Sequence, residues 1–495
     1  MDKPFPARSY AFTEAGDALN WIGGEWRPAV SGETLAVENP RHGKIMGRVA
    51  MSGAADVDAA VQAAVKAQKT WRTLPVRERA DVFYRLKGLL QRDIEELGWL
   101  VSHENGKTYI EGRASVEKTI ECIEFGCSLG NLGAGEQFDV SRGVNCRIDH
   151  EPLGVVAGVA PFNFPLMVAM WMLPQALVGG NAFILKPSEV VPFCSQRLAL
   201  LFREAGLPDG IFSIINGGAD AVNGLADHPD IKAFGFVGST RVAKMVYGRS
   251  SAQGKTALCL GGAKNHLMIV PDADRTLTAA NVVASFTGCA GQRSMAASVL
   301  LAVGDVEPIL TDILRIASKV RLGEDMGSII SAAAEKRIRG YIDDAERNGA
   351  KIVLDGRTAQ GPDGGYWIGP TIIDHCTTDM PCVKEEIFGP VISIIRCKTL
   401  DEAIAIENSN PYGNAACIYT SSGAVANYVT SRVEAGMVGV NVGVPVPREP
   451  FGFGGWNDSK FGAGNITGYD GWRFWTRPRK VTTKWAAQTD TTWMG

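Results

Sequence analysis

Between Val155 and Leu185 the chain runs for 31 residues without a charged side chain, and nothing else in the sequence restricts the fold as much. A membrane-spanning helix needs about 20 apolar residues, so length alone permits one. Pro161, Pro165 and Pro174 interrupt the run, with Asn163, Gln175 and Asn181 between them. Each proline removes a backbone donor and crowds the preceding turn, so one continuous helix would break repeatedly. The stretch reads instead as a buried strand, a turn, a core helix and a second strand, and a membrane role is excluded.

The same unit of apolar strand, short turn and helix recurs downstream. Candidate strands are Val155–Val159, Ala182–Leu185, Ile211–Ile215, Ala233–Val237, Leu267–Val270 and Val299–Val303. Most are continuous apolar runs rather than alternating ones, which suits parallel strands covered on both faces. Helical patterns of ten or more residues separate most of them, so a doubly wound α/β sheet is expected. Ahead of this region, the first 50 residues alternate apolar runs with turns such as Gly23-Gly24 and read as strands. Val57, Val61 and Val65 then recur at helical spacing, and a second amphipathic run follows Pro75 through Leu90. Ser128–His150 turns glycine-rich and then polar, as an excursion from the core would. A further βα region starts after Asp401, with Met437–Val442 as a strand. The β-branched tail Val481–Trp485 is expected to join a sheet elsewhere, in this subunit or a partner.

A chain of 495 residues exceeds one core and is expected to form two or three domains. Its net charge of −3 offers no field for nucleic acid. Ten cysteines form no C-x-x-C pair and six histidines no H-x-x-x-H pair, so neither a disulfide framework nor a metal is expected. The opening residues lack an apolar run of signal-peptide type, and a cytoplasmic location is expected.

No G-x-G-x-x-G follows a strand. Pro161-Phe162-Asn163-Phe164-Pro165, Lys186-Pro187-Ser188-Glu189 and Phe236-Val237-Gly238-Ser239-Thr240 instead follow three of the candidate strands. Ligands bind at such carboxyl ends in open α/β sheets. A helix starting at Ser239 aims its free N–H groups at a phosphate, and Lys186 and Glu189 suit ribose hydroxyls. Singly, each motif also fits an ordinary role: the Lys-Pro-Ser-Glu run a helix entry, Asn163 a turn residue.

In this order the motifs, together with Leu260–His266, Gly291-Gln292-Arg293-x-Met295 and Glu385–Val391, resemble the aldehyde dehydrogenase superfamily over nearly the whole chain. Ala263–His266, Gly291–Arg293 with Met295, and the Thr482–Trp485 tail are most similar to its CoA-acylating methylmalonate-semialdehyde dehydrogenase branch. The resemblance implies an NAD-binding domain over 1–131 and 153–259, a catalytic domain over 260–448, and oligomerisation elements at 132–152 and 479–495 of a homodimer or homotetramer. It implies a small aldehyde substrate and a thiol mechanism, with Asn163 holding the oxyanion. Phe162, Lys186, Ser188 and Glu189 would contact NAD, Gly238 and Ser239 its pyrophosphate, and Glu386 and Phe388 its nicotinamide end. NAD is expected over NADP, because Glu189 would repel a 2′-phosphate.

Two departures matter. The family's cysteine falls at Ser294, whose hydroxyl is far less acidic than a thiol of reference pKa about 8.5. Ser294 reads as an inactivating change, introduced rather than natural, and nearby Cys289 as a small buried residue. The glutamate that activates water in hydrolytic members is replaced by Leu260, or by Cys259 one register earlier, so CoA rather than water is the expected acceptor. Arg293 matches the branch residue that meets an anionic substrate group. The second branch arginine aligns with Lys118, and Arg448 is an alternative anion contact. A hydrolytic semialdehyde dehydrogenase and a non-catalytic NAD-binding relative are the competing readings.

Overall fold

A computed structural model describes residues 8–11, 14–132 and 135–485. The remainder of the expected tail element (486–495), residues 133–134 of the excursion, and residues 1–7 and 12–13 lie outside the described residues.

The uncharged stretch folds as expected: strand Val155–Val159, a turn, helix Met167–Val178 with Pro174 inside it, and strand Ala182–Lys186. Both strands are buried at every position, as two-sided covering requires. They lie at the centre of an eight-stranded sheet. From Val155–Val159 the chain winds outward one way through Ala182–Lys186 and Phe212–Ile214. It winds the other way through Ile231–Val237 and Thr256–Leu260, all five strands being parallel. The end of Val155–Val159 is therefore a topological switch point, where the outgoing loops diverge and leave a crevice. Gly158 and Gly235 sit opposite each other across this pair. A Cβ on either would come within 2.8 Å of the Met172 Sδ, so the helix lies flat on the sheet only over glycine.

The repeated strand–helix units divide between two sheets. Leu267–Val270 and Val299–Val303 fall in a second, seven-stranded sheet, as strands Asn265–Ile269 and Ala297–Val303. There they run parallel with Val391–Cys397, Ala415–Tyr419 and Met437–Val440. The division comes at Thr256–Leu260, a five-residue strand whose outer edge is capped by the antiparallel pair Lys460–Phe461. Edge capping ends the first sheet, and the chain crosses to the second through Gly261–Lys264.

Helices Ala54–Trp71 and Val76–Arg92 match the two amphipathic runs. Helix Tyr109–Leu132 extends further than its composition suggests, then gives way to Gln137–Ser141 and Val144–Pro152. The tail strand Thr476–Lys484 pairs antiparallel with Val144–Pro152 along its whole length, so the tail completes a small three-stranded sheet within its own chain. Among the described residues no helix is long and apolar enough to cross a membrane.

Candidate active site

The carboxyl ends of the first sheet face the loops that enter the second, and between them lies a cavity of about 1410 Å³. All twelve residues singled out from the sequence line it: Phe162, Asn163, Lys186, Ser188, Glu189, Gly238, Ser239, Arg293, Ser294, Glu386, Phe388 and Arg448. The rings of Phe162 and Phe388, one from each side, meet edge to face at 5.8 Å and 79°.

One half of the cavity suits a dinucleotide. Lys186 ends its strand with a side chain only 5% exposed, and its Nζ lies 2.8 Å from the Glu189 Oε2. Burial pushes the Glu189 carboxyl up, but the Lys186 ammonium outweighs it and holds the group below its usual value. The Glu189 carboxyl is therefore ionised, and the pair presents both a donor and acceptors to a diol. Ser239 is the N-cap of helix Thr240–Ala252 and lines the cavity, so the positive end of that helix lies at its wall. A Cβ at Gly238 would come within 2.6 Å of the Phe236 ring, and one at Gly262 within 2.4 Å of the Glu386 Oε2. A side chain at either position would displace Phe236 or Glu386. Glu386 accepts the Ala263 N–H at 2.9 Å, and burial pushes its carboxyl up.

The other half is built on the turn that carries Ser294. Cys289, Ala290 and Gly291 have φ of 55°, 52° and 67°, three consecutive left-handed residues. Only glycine fits at 291, where a Cβ would lie 2.0 Å from the Gly389 carbonyl oxygen. The amides of Asn265 and Asn414 donate to the Ser294 carbonyl at 2.7 and 2.9 Å and fix its backbone. Among the described residues lining the cavity none is a histidine, so the Ser294 hydroxyl has no imidazole base. Arg293 does more than line the wall. Its Nη2 donates to the carbonyls of Ala284 and Ser285 at 2.6 and 3.1 Å, closing the end of helix Arg275–Thr287, while its buried Nε has no hydrogen-bond partner among the described residues.

The sequence reading missed part of the lining. Glu111, Glu121 and Glu449 reach the cavity from a helix and a loop distant in sequence. Lys118, noted only for its alignment, binds Glu121 at 2.8 Å, and Arg448, 74% exposed, lies 3.7 Å from the same carboxylate. Burial pushes the half-buried Glu449 carboxyl up, and nearby Glu121 adds to the effect. Cys289, read as a small buried residue, is buried and also lines the wall. Leu260, at the supposed base position, is buried at its strand end and offers only its carbonyl, to the Gly238 N–H.

Residues 26–481 match the model of the aldehyde dehydrogenase family. The chain belongs to the aldehyde dehydrogenase family. A malonate-semialdehyde dehydrogenase of Geobacillus kaustophilus is 44% identical over 475 residues, covering 94% of this chain and 98% of that one. A Sinorhizobium meliloti 1021 structure assigned as a methylmalonate-semialdehyde dehydrogenase and complexed with NAD superposes with a TM-score of 0.93. It is 40% identical and covers 96% of this chain and 99% of that one. The methylmalonate-semialdehyde dehydrogenase of Oceanimonas doudoroffii superposes with a TM-score of 0.94 at 37% identity, covering 96% and 99%. The aldehyde dehydrogenase fold thus accounts for both sheets and for the cavity between them.

Proposed function

We propose that this aldehyde dehydrogenase uses NAD to oxidise a short aldehyde bearing an anionic group, malonate semialdehyde being the first candidate, and passes the acyl group to CoA. The observation that carries the reading is the convergence of the twelve residues, from two sheets, on one cavity. The Geobacillus and Sinorhizobium relatives favour the semialdehyde and NAD respectively. NAD bound in the first half would supply the two-electron acceptor. Lys186 and Glu189 would hold its ribose hydroxyls, the N–H groups at Ser239 its pyrophosphate, and Phe162 and Phe388 would wall its nicotinamide end.

The residue at 294 would add to the carbonyl carbon, with the Asn163 amide and a backbone N–H taking up the oxyanion. A thiolate does this readily at neutral pH. The Ser294 hydroxyl, with no imidazole in the described cavity lining, does not, so the present chain binds its ligands and turns over slowly. Leu260 gives water no activation, which leaves the acyl group for the thiol of CoA. Glu449 favours a second reading. A carboxyl raised by burial within the cavity has the character of a general base, and would make the product a free acid. NADH formation by Ser294→Cys with malonate semialdehyde, with and without CoA, tests both. Strong CoA dependence supports acylation, and fast CoA-independent turnover supports hydrolysis.

A further inference from the structure

We infer that the run Glu104–Glu111 is a clamp that sets the oxyanion donor against the nucleophile turn, with Lys107 and Glu111 as its positioning residues. The roles of the two clamped pieces rest on the proposed function; the clamp rests on contacts. Asn105 Nδ2 donates to the Phe162 carbonyl at 2.8 Å, and Lys107 Nζ to the Asn163 carbonyl. Both acceptors lie in the turn after Val155–Val159. Four residues on, Glu111 Oε1 accepts the Cys289 N–H at 2.6 Å, in the turn that leads to Ser294. Between them, the Gly106 carbonyl accepts the Ser328 N–H at 2.9 Å, and Gln292 Nε2 donates to the Ser328 carbonyl at 3.1 Å. Glu104 caps the helix Phe193–Glu204 through the N–H groups of Phe193 and Cys194, at 2.7 and 3.1 Å.

One eight-residue stretch therefore grips a loop from each sheet, and its own shape is over-determined. Thr108 N donates to Glu111 Oε2 at 3.1 Å, and Ser102 Oγ to the Lys107 carbonyl at 2.6 Å. A Cβ on Gly106, at φ 84°, would lie 2.2 Å from the Ser328 Oγ. Lys107 is 3% exposed, with its Nζ 3.6 Å from the centre of the Phe164 ring. A buried ammonium persists only when its hydrogen bonds are held, so its geometry is rigid. Lys107 holds the Asn163 carbonyl, and Glu111 holds the turn that leads into Ser294, whose own carbonyl is held by Asn265 and Asn414. Since misplacement by about 1 Å costs on the order of 100-fold in rate, such positioning residues matter to catalysis without touching substrate.

Burial lowers the affinity of Lys107 for its proton; Cys289, Glu111 and Cys194 facing it oppose this, and Arg293 adds to it. The clamp therefore weakens at alkaline pH, below the usual lysine range.

Amide hydrogen exchange on the chain as it stands tests the clamp without any turnover. Lys107→Met, and separately the milder Glu111→Gln, are each expected to speed exchange about tenfold in both turns, 161–166 and 288–294, while the sheet centre is unchanged. Faster exchange only beside the substituted residue overturns the proposal. In the Ser294→Cys background each variant is expected to lower kcat roughly 10- to 100-fold, with KM for NAD within about threefold. The double variant should lose no more than the worse single one, and Lys107→Met should lose the alkaline fall in kcat. Independent, additive losses, or a change in KM alone, contradict the clamp. If Ser294→Cys oxidises no aldehyde, the functional reading fails, and exchange still decides the clamp.

Discussion

In the proposed reaction, the side chain at position 294 is the nucleophile. The turn beneath it is held by the amides of Asn265 and Asn414, so exchanging its side chain leaves the backbone in place. A thiol there is expected to raise NADH formation by at least about three orders of magnitude, comparable to what nucleophile substitutions remove in related covalent mechanisms. Arg293 is the harder residue. Its Nη2 closes a helix end, so Arg293→Leu should destabilise the fold by about 1–3 kcal/mol in denaturant titrations. The same variant should also lose its preference for carboxylate-bearing over plain aldehydes. Stability lost with the preference intact would make Arg293 purely structural. At the other end, the Glu189 carboxylate paired with Lys186 predicts tighter binding of NAD than NADP, and Glu189→Gln should narrow the gap about tenfold in calorimetric titrations. Tighter NADP binding by the unaltered chain contradicts that assignment.

At the scale of elements, helix Phe193–Glu204 depends on an unusual cap. Its first N–H groups are taken by the wholly buried Glu104, whose carboxyl burial pushes up to about 7 against those two bonds. A carboxyl that is harder to ionise in the fold than in the open chain stabilises most below its unfolded value of 4.5. That contribution is lost as pH rises toward 7, by up to about 3 kcal/mol. Melting temperatures between pH 4.5 and 7 should fall with a slope that Glu104→Gln flattens; an unchanged slope contradicts this account. The elements themselves were legible where burial was two-sided. Val155–Val159 and Ala182–Lys186 announce themselves by unbroken apolar character, and the motifs at their ends followed. Thr256–Leu260 was missed, because five residues after a glycine and a lysine carry little pattern. Glu111 and Glu449 were illegible for another reason: a lone acid in a helix or loop acquires meaning only when folding brings it to a cavity wall.

For the whole molecule, the small sheet formed by Val144–Pro152, Gln137–Ser141 and Thr476–Lys484 stands apart from the two large ones. Phe138 and Val140 on it are 64% and 58% exposed, and Trp485 beside it is 83% exposed. Apolar side chains on a free sheet edge suit a subunit contact. We therefore propose residues 132–152 and 479–495 as the oligomerisation elements, alongside an NAD-binding domain of 1–131 and 153–259 and a catalytic domain of 260–448. Phe138→Asp together with Val140→Asp should lower the mass found by light scattering; a monomeric unaltered chain contradicts the assignment. The central claim joins both sheets in one reaction, and one measurement tests it most directly. NADH absorbance is followed after mixing malonate semialdehyde and NAD with the unaltered chain and with Ser294→Cys, each with and without CoA. The account predicts negligible NADH from the serine chain. From the thiol variant it predicts a burst near one NADH per subunit, then steady turnover only when CoA is present. Robust turnover by the serine chain, or none by the thiol variant with or without CoA, contradicts it.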